Sequence, residues 1–267
     1  MSDTRPRVDA PSPASTSCYD GRSGEELAAI LSLPRVVALQ EVPSTLDVAH
    51  ELGERGAAAG TLVLADAQTA GRGRMRRTWR SERGAGVWLT VLERPPGDEA
   101  LGVLALRLAL GLAPALDAFT ASPVRLKWPN DLYVDGKKLA GVLVEARWRG
   151  PRLDWLAVGV GINVRAPDGL AAAGLVPGTS RIDVLRAIVP ALRGAAAAPG
   201  ILSRDELARF AARDFALGQR CLAPAIGVVA GIDVDGALLV DEGDERAKHH
   251  AGSLILEGEV NSLGGSA

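Results

Sequence analysis

The 267-residue sequence has few of the residues that carry hydrolytic or metal chemistry. It contains two cysteines, Cys18 and Cys221, and three histidines, His50, His249 and His250. Two cysteines exclude a disulfide framework and a cysteine-rich zinc site. The sequence also lacks a His-Glu-x-x-His and a Gly-x-Ser-x-Gly motif. Hydrolysis that depends on a histidine base is therefore disfavoured.

Long uninterrupted apolar runs are also missing. The most apolar stretch, residues 101–119, contains Arg107 and Asp117 as well as glycine and proline. It predicts a helix that is buried on most sides rather than a membrane span. Residues 1–19 have no apolar core and do not resemble a signal peptide. We therefore expect a cytoplasmic protein without a membrane partner.

Neither sign of charge dominates, and lysine is scarce. Thirty basic and 32 acidic residues give a formal net charge of -2, which argues against a general nucleic-acid coat. Apolar residues make up 47% and charged residues 23%, as in ordinary globular proteins. Only four basic residues are lysines, at positions 127, 137, 138 and 248. Three of them cluster, which indicates positions where a compact ammonium group is needed rather than a guanidinium group.

The apolar patterns predict an α+β fold with a mixed sheet, helices and a small C-terminal β module. Strands are expected near 36–39, 61–65, 87–92, 132–134, 138–145 and 154–163, and helices near 25–31, 46–55, 99–119, 181–194 and 203–217. Asp-Gly pairs at 135–136 and 235–236 predict tight hairpin turns. Short strands near 228–231, 237–240 and 253–256 are typical of an SH3-like barrel. The expected domains are a partly disordered tail (1–35), a main domain (36–217) and a β domain (218–267).

The first candidate site is an arginine-rich loop that follows the second predicted strand. Residues 68–80 read Gln-Thr-Ala-Gly-Arg-Gly-Arg-Met-Arg-Arg-Thr-Trp-Arg. Gly71 and Gly73 let backbone N–H groups approach an anion, and guanidinium groups bind phosphate or carboxylate in a bidentate manner. This favours a mobile loop that closes over a phosphorylated ligand. A solvated basic loop and an RNA-binding patch with Trp79 as a stacking residue remain open.

Two further segments contain the clustered lysines. Residues 127–131 read Lys-Trp-Pro-Asn-Asp, and a plain turn is the alternative because proline, asparagine and aspartate all favour turns. After the Asp-Gly turn, strand alternation places Lys137 and Lys138 on opposite faces. We expect Lys138 to share its face with Ala140 and Val142 and to point towards a pocket. The alternative is a pair of exposed lysines.

A fourth segment completes an ordered set of motifs. Gly159 and Gly161 lie on one face of a predicted strand and leave space for a flat group beside the sheet. In order, the sequence has Ser-Thr at 44–45, Gln-x-x-Gly-Arg-Gly-Arg at 68–74, Lys-Trp-Pro-Asn-Asp at 127–131, Lys-Leu-Ala-Gly at 138–141 and Gly-x-Gly-x-Asn at 159–163. This set resembles the biotin–protein ligases over roughly residues 36–257.

The resemblance implies a fold group and a reaction. The group also contains lipoate ligases and class II aminoacyl-tRNA synthetases, and its biotin ligases have an SH3-like C-terminal domain. With Mg²⁺, biotin and ATP would form biotinyl-5′-AMP and pyrophosphate. A lysine of a biotin carboxyl carrier protein would then accept the biotin and release AMP. The implied partner is the carrier domain of biotin-dependent carboxylases, for a protein that is a monomer or a homodimer.

The resemblance also implies roles for individual residues. Lys138 and Arg74 would be catalytic, and Asp131 is the candidate metal ligand. The implied biotin-binding residues are Ser44, Thr45, Leu46, Gln68, Arg72, Gly73, Arg74, Lys138, Gly141, Gly159 and Gly161. The implied ATP- and adenylate-binding residues are Arg72, Arg74, Arg77, Trp79, Lys127, Asn130, Lys138 and Asn163.

Three positions depart from the family pattern. Leu46 stands where the family has the asparagine of Ser-Thr-Asn, Arg76 replaces the third glycine of the loop, and Ser253 replaces the glutamate of a Gly-Glu pair. Leu46 affects contact with biotin, Arg76 affects closure of the loop, and Ser253 affects contact between the C-terminal domain and ATP.

The sequence does not indicate a DNA-binding domain. About 35 residues precede the first strand, which is too few for a winged helix, so we expect no DNA-binding regulation and no nucleic-acid partner. The rival functions are a lipoate or other acyl-protein ligase of the same fold and an RNA-binding module.

Overall fold

The computed structural model describes residues 18–95 and 97–259. Of the predicted tail over residues 1–35, residues 1–17 lie outside them. The helices are α1 (Gly24–Leu31), α2 (Thr45–Glu54), α3 (Leu101–Leu116), α4 (Arg181–Ala197) and α5 (Arg204–Arg213). The strands are β1 (Arg35–Val42), β2 (Thr61–Gln68), β3 (Gly86–Glu93), β4 (Arg125–Lys127), β5 (Asp131–Val134), β6 (Lys137–Arg149), β7 (Arg152–Asn163), β8 (Arg220–Ala223), β9 (Gly227–Ile232), β10 (Leu238–Glu242), β11 (Glu245–His249) and β12 (Ile255–Leu256).

Serine residues fix the beginnings of several helices. Ser23 forms a capping box with Glu26 at the start of α1, and Ser203 forms one with Glu206 at the start of α5. Each pair satisfies two backbone N–H groups that would otherwise lack a partner. Ser44 caps α2, because its Oγ accepts a hydrogen bond from the Leu46 N–H at 3.3 Å. Each of these helices begins where the sequence predicts it, to within a residue or two.

The strands form two separate sheets. The larger has the order β1-β2-β3-β7-β6-β5-β4, with β1 and β2 parallel and the other pairs antiparallel. The smaller has the order β11-β10-β9-β8-β12 and is antiparallel throughout. The predicted mixed α+β fold is confirmed, and the second sheet is consistent with an SH3-like module. The sequence analysis missed β4, β8 and β11, which are short and lack a regular apolar alternation.

The two faces of the larger sheet are covered by different layers. One face packs against α3 and α4 in the main hydrophobic core. The other packs against α2 through a small cluster that includes Leu46, Ala49, Val63 and Ala157. Because α2 covers only part of this second face, the ends of β3, β6 and β7 stay open for a cavity. By length and composition Leu101–Phe119 would qualify as a membrane span, but 56% of its most apolar window is buried in this fold.

The Asp-Gly turn between β5 and β6 has the predicted geometry. Asp135 has φ 49° and Gly136 has φ 74°, and a type I′ turn requires positive φ at both positions. The pairing of β5 with β6 then shifts register, because Leu132 pairs with Ala140 whereas Tyr133 pairs with Lys138. One residue of β6 is therefore unpaired at a β-bulge, and the side-chain alternation reverses across it.

This bulge makes one sequence prediction wrong. Lys138 does not share its face with Ala140 and Val142, which lie in the main core at 0% and 1% exposure. It lies on the opposite face with Gly141, where an added methyl group would be 3.5 Å from Lys138 Cε. The ammonium group still reaches a cavity, but on the α2 side of the sheet.

Candidate active site

A cavity of about 740 Å³ lies on the α2 side of the larger sheet. Every residue predicted to bind biotin, ATP or a metal lines it. The members are Ser44, Thr45, Leu46, Gln68, Arg72, Gly73, Arg74, Arg77, Trp79, Lys127, Asn130, Asp131, Lys138, Gly141, Gly159, Gly161 and Asn163. A second depression of about 700 Å³ at the start of α4 contains none of these residues. The sequence motifs, which span 120 positions, thus meet at one place.

One wall of the cavity is formed by the start of α2 and the end of β2. Gln68 Oε1 accepts hydrogen bonds from Thr45 N–H at 2.9 Å and from Thr45 Oγ1 at 3.2 Å. Gln68 Nε2 donates to Ser81 Oγ at 2.8 Å, and Thr90 Oγ1 donates to Thr45 Oγ1 at 2.8 Å. Ser44 beside them is 1% exposed. Hydroxyl groups both donate and accept, so this wall suits an uncharged polar ligand group.

Two glycines of β7 form the floor. A methyl group added at Gly161 would lie 2.4 Å from Trp79 Nε1, and one added at Gly159 would lie 3.3 Å from Leu46 Cδ2. The space that Gly161 leaves beside the sheet is thus occupied by a flat group of the protein itself, the indole of Trp79, and Leu46 lies over Gly159. The buried Trp79 Nε1 has no hydrogen-bond partner among the residues that the structure describes. A buried donor of this kind is costly unless a ligand or water accepts from it.

The arginine loop closes one side of the cavity. Arg72 contacts Asp47 at 2.7 Å, Arg74 donates to Asn130 Oδ1 at 3.4 Å, and Arg77 donates to Ser253 Oγ at 3.4 Å. These contacts disfavour a freely solvated loop and an RNA-binding patch, because the three guanidinium groups are directed at the protein. Burial lowers the pKa of Arg74 from its ordinary value, and the charge of Asp131 opposes that shift.

The third-glycine position of the loop has an unusual backbone. Met75 has φ 54° and Arg76 has φ 58°, in the left-handed region that favours glycine. The loop therefore keeps the conformation that glycine would favour at position 76, although the residue is arginine. A non-glycine residue adopts this conformation at an energetic cost.

Lys138 and Asp131 face each other at the far end of the cavity. Lys138 Nζ lies 2.8 Å from Asp131 Oδ1, as an ion pair rather than a well-directed hydrogen bond, and 5.2 Å from the ring centre of Trp79. Asn130 Nδ2 donates to Val142 O at 2.7 Å and fixes the turn that precedes Asp131. The Trp128–Pro129 peptide bond in the same segment is cis. The predicted active-site turn thus brings an amide and a carboxylate to the lysine.

The C-terminal segment next to the smaller sheet contributes Glu259, to which the sequence analysis gave no role, and Ser253, which it named as a departure from the family pattern. Glu259 pairs with the buried Lys127, whose Nζ lies 5.3 Å from the ring centre of Tyr133. Ser253 also lines the cavity. No local pattern marks Glu259, because its role depends on how the smaller sheet packs on the larger one. The sequence analysis also gave no role to several other residues at the site, namely Thr78, Thr90, Pro167, Leu170, Ala171 and Ala172. All of them except Thr78, which is in the arginine loop, lie outside the motifs.

Positive charge exceeds negative charge around the cavity. Six cationic side chains line it, at positions 72, 74, 77, 80, 127 and 138, against the carboxylates of Asp131 and Glu259. Among residues 18–95 and 97–259, no group of three or more His, Cys, Asp or Glu residues is arranged to hold a metal ion. A neutral polar wall on one side and several cations on the other suit a ligand with an uncharged polar part and an anionic part.

Residues 36–163 match the biotin/lipoate A/B protein ligase family. This segment is a domain of that family. The match covers β1 to β7 and therefore the whole sheet that carries the floor of the cavity. The family indicated by the motifs is thus confirmed.

Individual relatives extend the likeness beyond that region. The chain is 41% identical over 122 residues to the bifunctional ligase/repressor BirA of Bacillus subtilis, which covers 45% of this chain and 38% of that relative. It is 32% identical over 203 residues to BirA of Escherichia coli, which covers 69% of this chain and 62% of the relative. The chain thus spans less than two thirds of the length of both relatives.

A solved structure of this family resembles nearly the whole fold. The biotin protein ligase of Aquifex aeolicus in complex with biotin and ATP matches with a TM-score of 0.68 and 26% identity. The match covers 83% of this chain and 98% of the Aquifex chain.

Proposed function

We propose that the protein is an ATP-dependent biotin–protein ligase. It converts biotin and ATP to biotinyl-5′-AMP and pyrophosphate, and then transfers biotin to a lysine of a biotin carboxyl carrier domain. The observation that supports this most is that one cavity combines the neutral wall of Thr45 and Gln68 with the cations around Lys138. The two reactants have matching chemistry, since biotin is mostly apolar with a neutral ureido group, and ATP is an anion.

The first step joins two anions. A carboxylate oxygen of biotin attacks the α-phosphorus of ATP, and the bond to the pyrophosphate oxygen breaks. Lys138, Arg72 and Arg74 would neutralise the repulsion between the reactants and the charge that develops on the transferring phosphoryl group. Ser44, Thr45 and Gln68 would hold the ureido end of biotin, while Leu46 contacts its apolar part. Trp79, Arg77, Lys127, Asn130 and Asn163 would contact the nucleotide.

The second step needs no enzyme-bound covalent intermediate. The amine of the carrier lysine, after loss of a proton, attacks the acyl carbon of the mixed anhydride, and AMP leaves with the bonding electrons. Water would compete for the same carbon, so a closed arginine loop protects the adenylate. The contacts of Arg72, Arg74 and Arg77 across the cavity support a loop of this kind.

Magnesium would enter as the complex with ATP. Asp131 is the carboxylate beside Lys138, and Mg²⁺ in nucleotide sites is held by one or two carboxylates together with phosphate oxygens and water. The residues present therefore fit a metal that the nucleotide brings with it, with Asp131 as the protein ligand. They do not form a dedicated metal cage.

The domain division and the cellular setting belong to the same proposal. A catalytic domain over 36–217 and a β domain over 218–267 agree with β8 starting at Arg220. A cytoplasmic location and a carrier domain as partner follow from the proposed reaction. The net charge of -2 supports the prediction that nucleic acid is not a partner.

Ligand-dependent thermal shift tests the proposal. We expect biotin with Mg·ATP to raise the melting temperature, because tightly held adenylate stabilises the folded state by mass action. Lipoate with Mg·ATP should give no comparable shift. If lipoate with Mg·ATP raises the melting temperature and biotin with Mg·ATP does not, the lipoate ligase alternative is favoured. If neither mixture raises it, the proposal is overturned.

A further inference from the structure

A hydrogen-bonded chain of side chains lies behind the cavity wall. Trp155 Nε1 donates to His50 Nδ1 at 3.1 Å, and His50 Nε2 lies 2.8 Å from Glu145 Oε2. His50 and Trp155 are each 5% exposed. None of these three residues lines the cavity. The sequence motifs include none of them, and the proposed reaction gives them no role.

The indole group fixes the orientation of the chain. An indole N–H can only donate, so His50 Nδ1 accepts and the imidazole proton lies on Nε2. That proton is donated to Glu145. Trp155 itself is held by close packing against α2, since a methyl group added at Gly53 would lie 2.6 Å from Trp155 Cε2. The Glu145 carboxylate is thus oriented from behind by a rigid, buried support.

The free oxygen of Glu145 faces the arginine loop. Glu145 Oε1 lies 3.6 Å from Arg72 NH2, while Arg72 NH1 contacts Asp47 Oδ1 at 2.7 Å. The hydrogen bond from His50, with the charge of Arg72 acting in the same direction, holds the pKa of Glu145 below its ordinary value. Asp47 is on the first turn of α2 and Glu145 is on β6. Arg72 therefore joins the loop to two different elements of the framework.

We propose that Glu145 is a positioning residue, which His50 and Trp155 hold in place so that it fixes Arg72 and keeps the arginine loop closed. The function of this tether in catalysis rests on the proposed ligase activity, since a closed loop would retain the adenylate. The geometry of the tether does not depend on that activity. Of the two carboxylates, Glu145 is the one with a buried hydrogen-bond partner behind it, His50. Its side chain is also less exposed, at 27%, than that of Asp47, at 47%.

Limited trypsin digestion without ligand tests the tether itself. The loop has exposed arginines at positions 76 and 77, which become cleavable when the loop opens. Glu145→Gln keeps an oxygen that accepts from His50 but removes the charge facing Arg72. We expect cleavage in the loop to be about fivefold faster, as for loss of a partly buried ion pair. Glu93→Gln is the matched control, because Glu93 pairs with Arg193 at 2.9 Å away from the cavity, and it should leave loop cleavage unchanged.

Two variants of His50 test the support. His50→Gln retains a side-chain N–H that reaches towards Glu145, so its loop should be cleaved almost as slowly as that of the unmodified protein. His50→Leu removes that donor and should match Glu145→Gln. Equal cleavage of all variants and the unmodified protein would overturn the tether. If His50→Leu does not fold, the comparison of Glu145→Gln with Glu93→Gln still shows whether Glu145 keeps the loop closed.

A double-mutant cycle connects the tether to the reaction. In biotin-dependent exchange of pyrophosphate into ATP, Glu145→Gln should raise the KM for biotin about tenfold with kcat nearly unchanged, whereas a purely structural defect would lower kcat. In an Arg72→Ala background, Glu145→Gln should have no further effect. Independent, additive effects of the two changes would overturn the inference. If the unmodified protein catalyses no exchange, the proposed function is overturned instead. The digestion experiment would still test the tether, because it needs no ligand and no activity.

Discussion

Lys138 holds its ammonium group 2.8 Å from Asp131 and 5.2 Å from the ring centre of Trp79, with its side chain 34% exposed. A compact cation that stays partly open to the cavity can approach both a carboxylate and a phosphate. The clustering of scarce lysines in the sequence singled out this residue, and the structure places it at the cavity. The direction of its side chain was not predictable, because the bulge in β6 comes from pairing with β5 and not from a local signal.

At residue scale, Arg76 tests the strain in the loop. Its φ of 58° costs a non-glycine residue about 1 kcal/mol, so Arg76→Gly should raise the free energy of unfolding by up to about that amount. Chemical denaturation measures the difference. Arg77→Gly is the control, because Arg77 has φ -68° and gains nothing from glycine. A loss of stability in Arg76→Gly equal to that in Arg77→Gly would show that position 76 carries no strain.

At the scale of elements, β7 and the loop meet through Gly161. The Gly-x-Gly-x-Asn motif was predictable as a strand end with space beside it. The indole of Trp79 lies in this space because of the path that the loop between β2 and β3 follows. This path cannot be predicted from the sequence, because the loop has no periodic pattern. Likewise, the chain from Trp155 to Arg72 joins a helix, two strands and the loop, and its members are far apart in sequence.

Gly161→Ala tests that contact between β7 and the loop. The added methyl group would lie 2.4 Å from Trp79 Nε1, so the indole must move. We expect at least a tenfold rise in the KM for ATP, together with a change in tryptophan fluorescence. Gly194→Ala on α4, where an added methyl group has open space, should change neither. An unchanged KM in Gly161→Ala would show that the position of Trp79 does not matter for nucleotide binding.

At the scale of the whole molecule, the two sheets meet at the cavity and at a buried junction after α5. Glu259 and Ser253 bring the smaller sheet to Lys127 and Arg77. Asp214 is 3% exposed and its backbone bridges to Leu126 of β4. Its carboxylate accepts a hydrogen bond from the Ala216 N–H at 2.9 Å. The fold class and the small β module were predictable from strand patterns and turns. The contacts between the sheets were not, because they depend on packing.

Asp214 gives this junction a dependence on pH. Burial raises its pKa from 3.8 to about 6, so the folded protein holds the proton more tightly than the unfolded chain does. Stability should therefore fall as the pH rises from about 4 to about 6, by on the order of 3 kcal/mol. Asp214→Asn keeps an acceptor oxygen without the charge, and it should be more stable than the unmodified protein at pH 7.5 and equally stable near pH 4.

Denaturant unfolding at several pH values measures this effect. Asp168→Asn, at an exposed position, is the control and should follow the unmodified protein at every pH. If Asp214→Asn shows the same dependence between pH 4 and 6 as the unmodified protein, another group is responsible.

Transfer of biotin to a carrier domain tests the central claim most directly. The protein is incubated with biotin, Mg·ATP and a biotin carboxyl carrier domain, and the intact mass of the carrier is measured. We expect the carrier to gain the mass of one biotinyl group on its acceptor lysine, with the gain abolished in a folded Lys138→Ala variant. An unmodified carrier, or full modification by Lys138→Ala, would contradict the account.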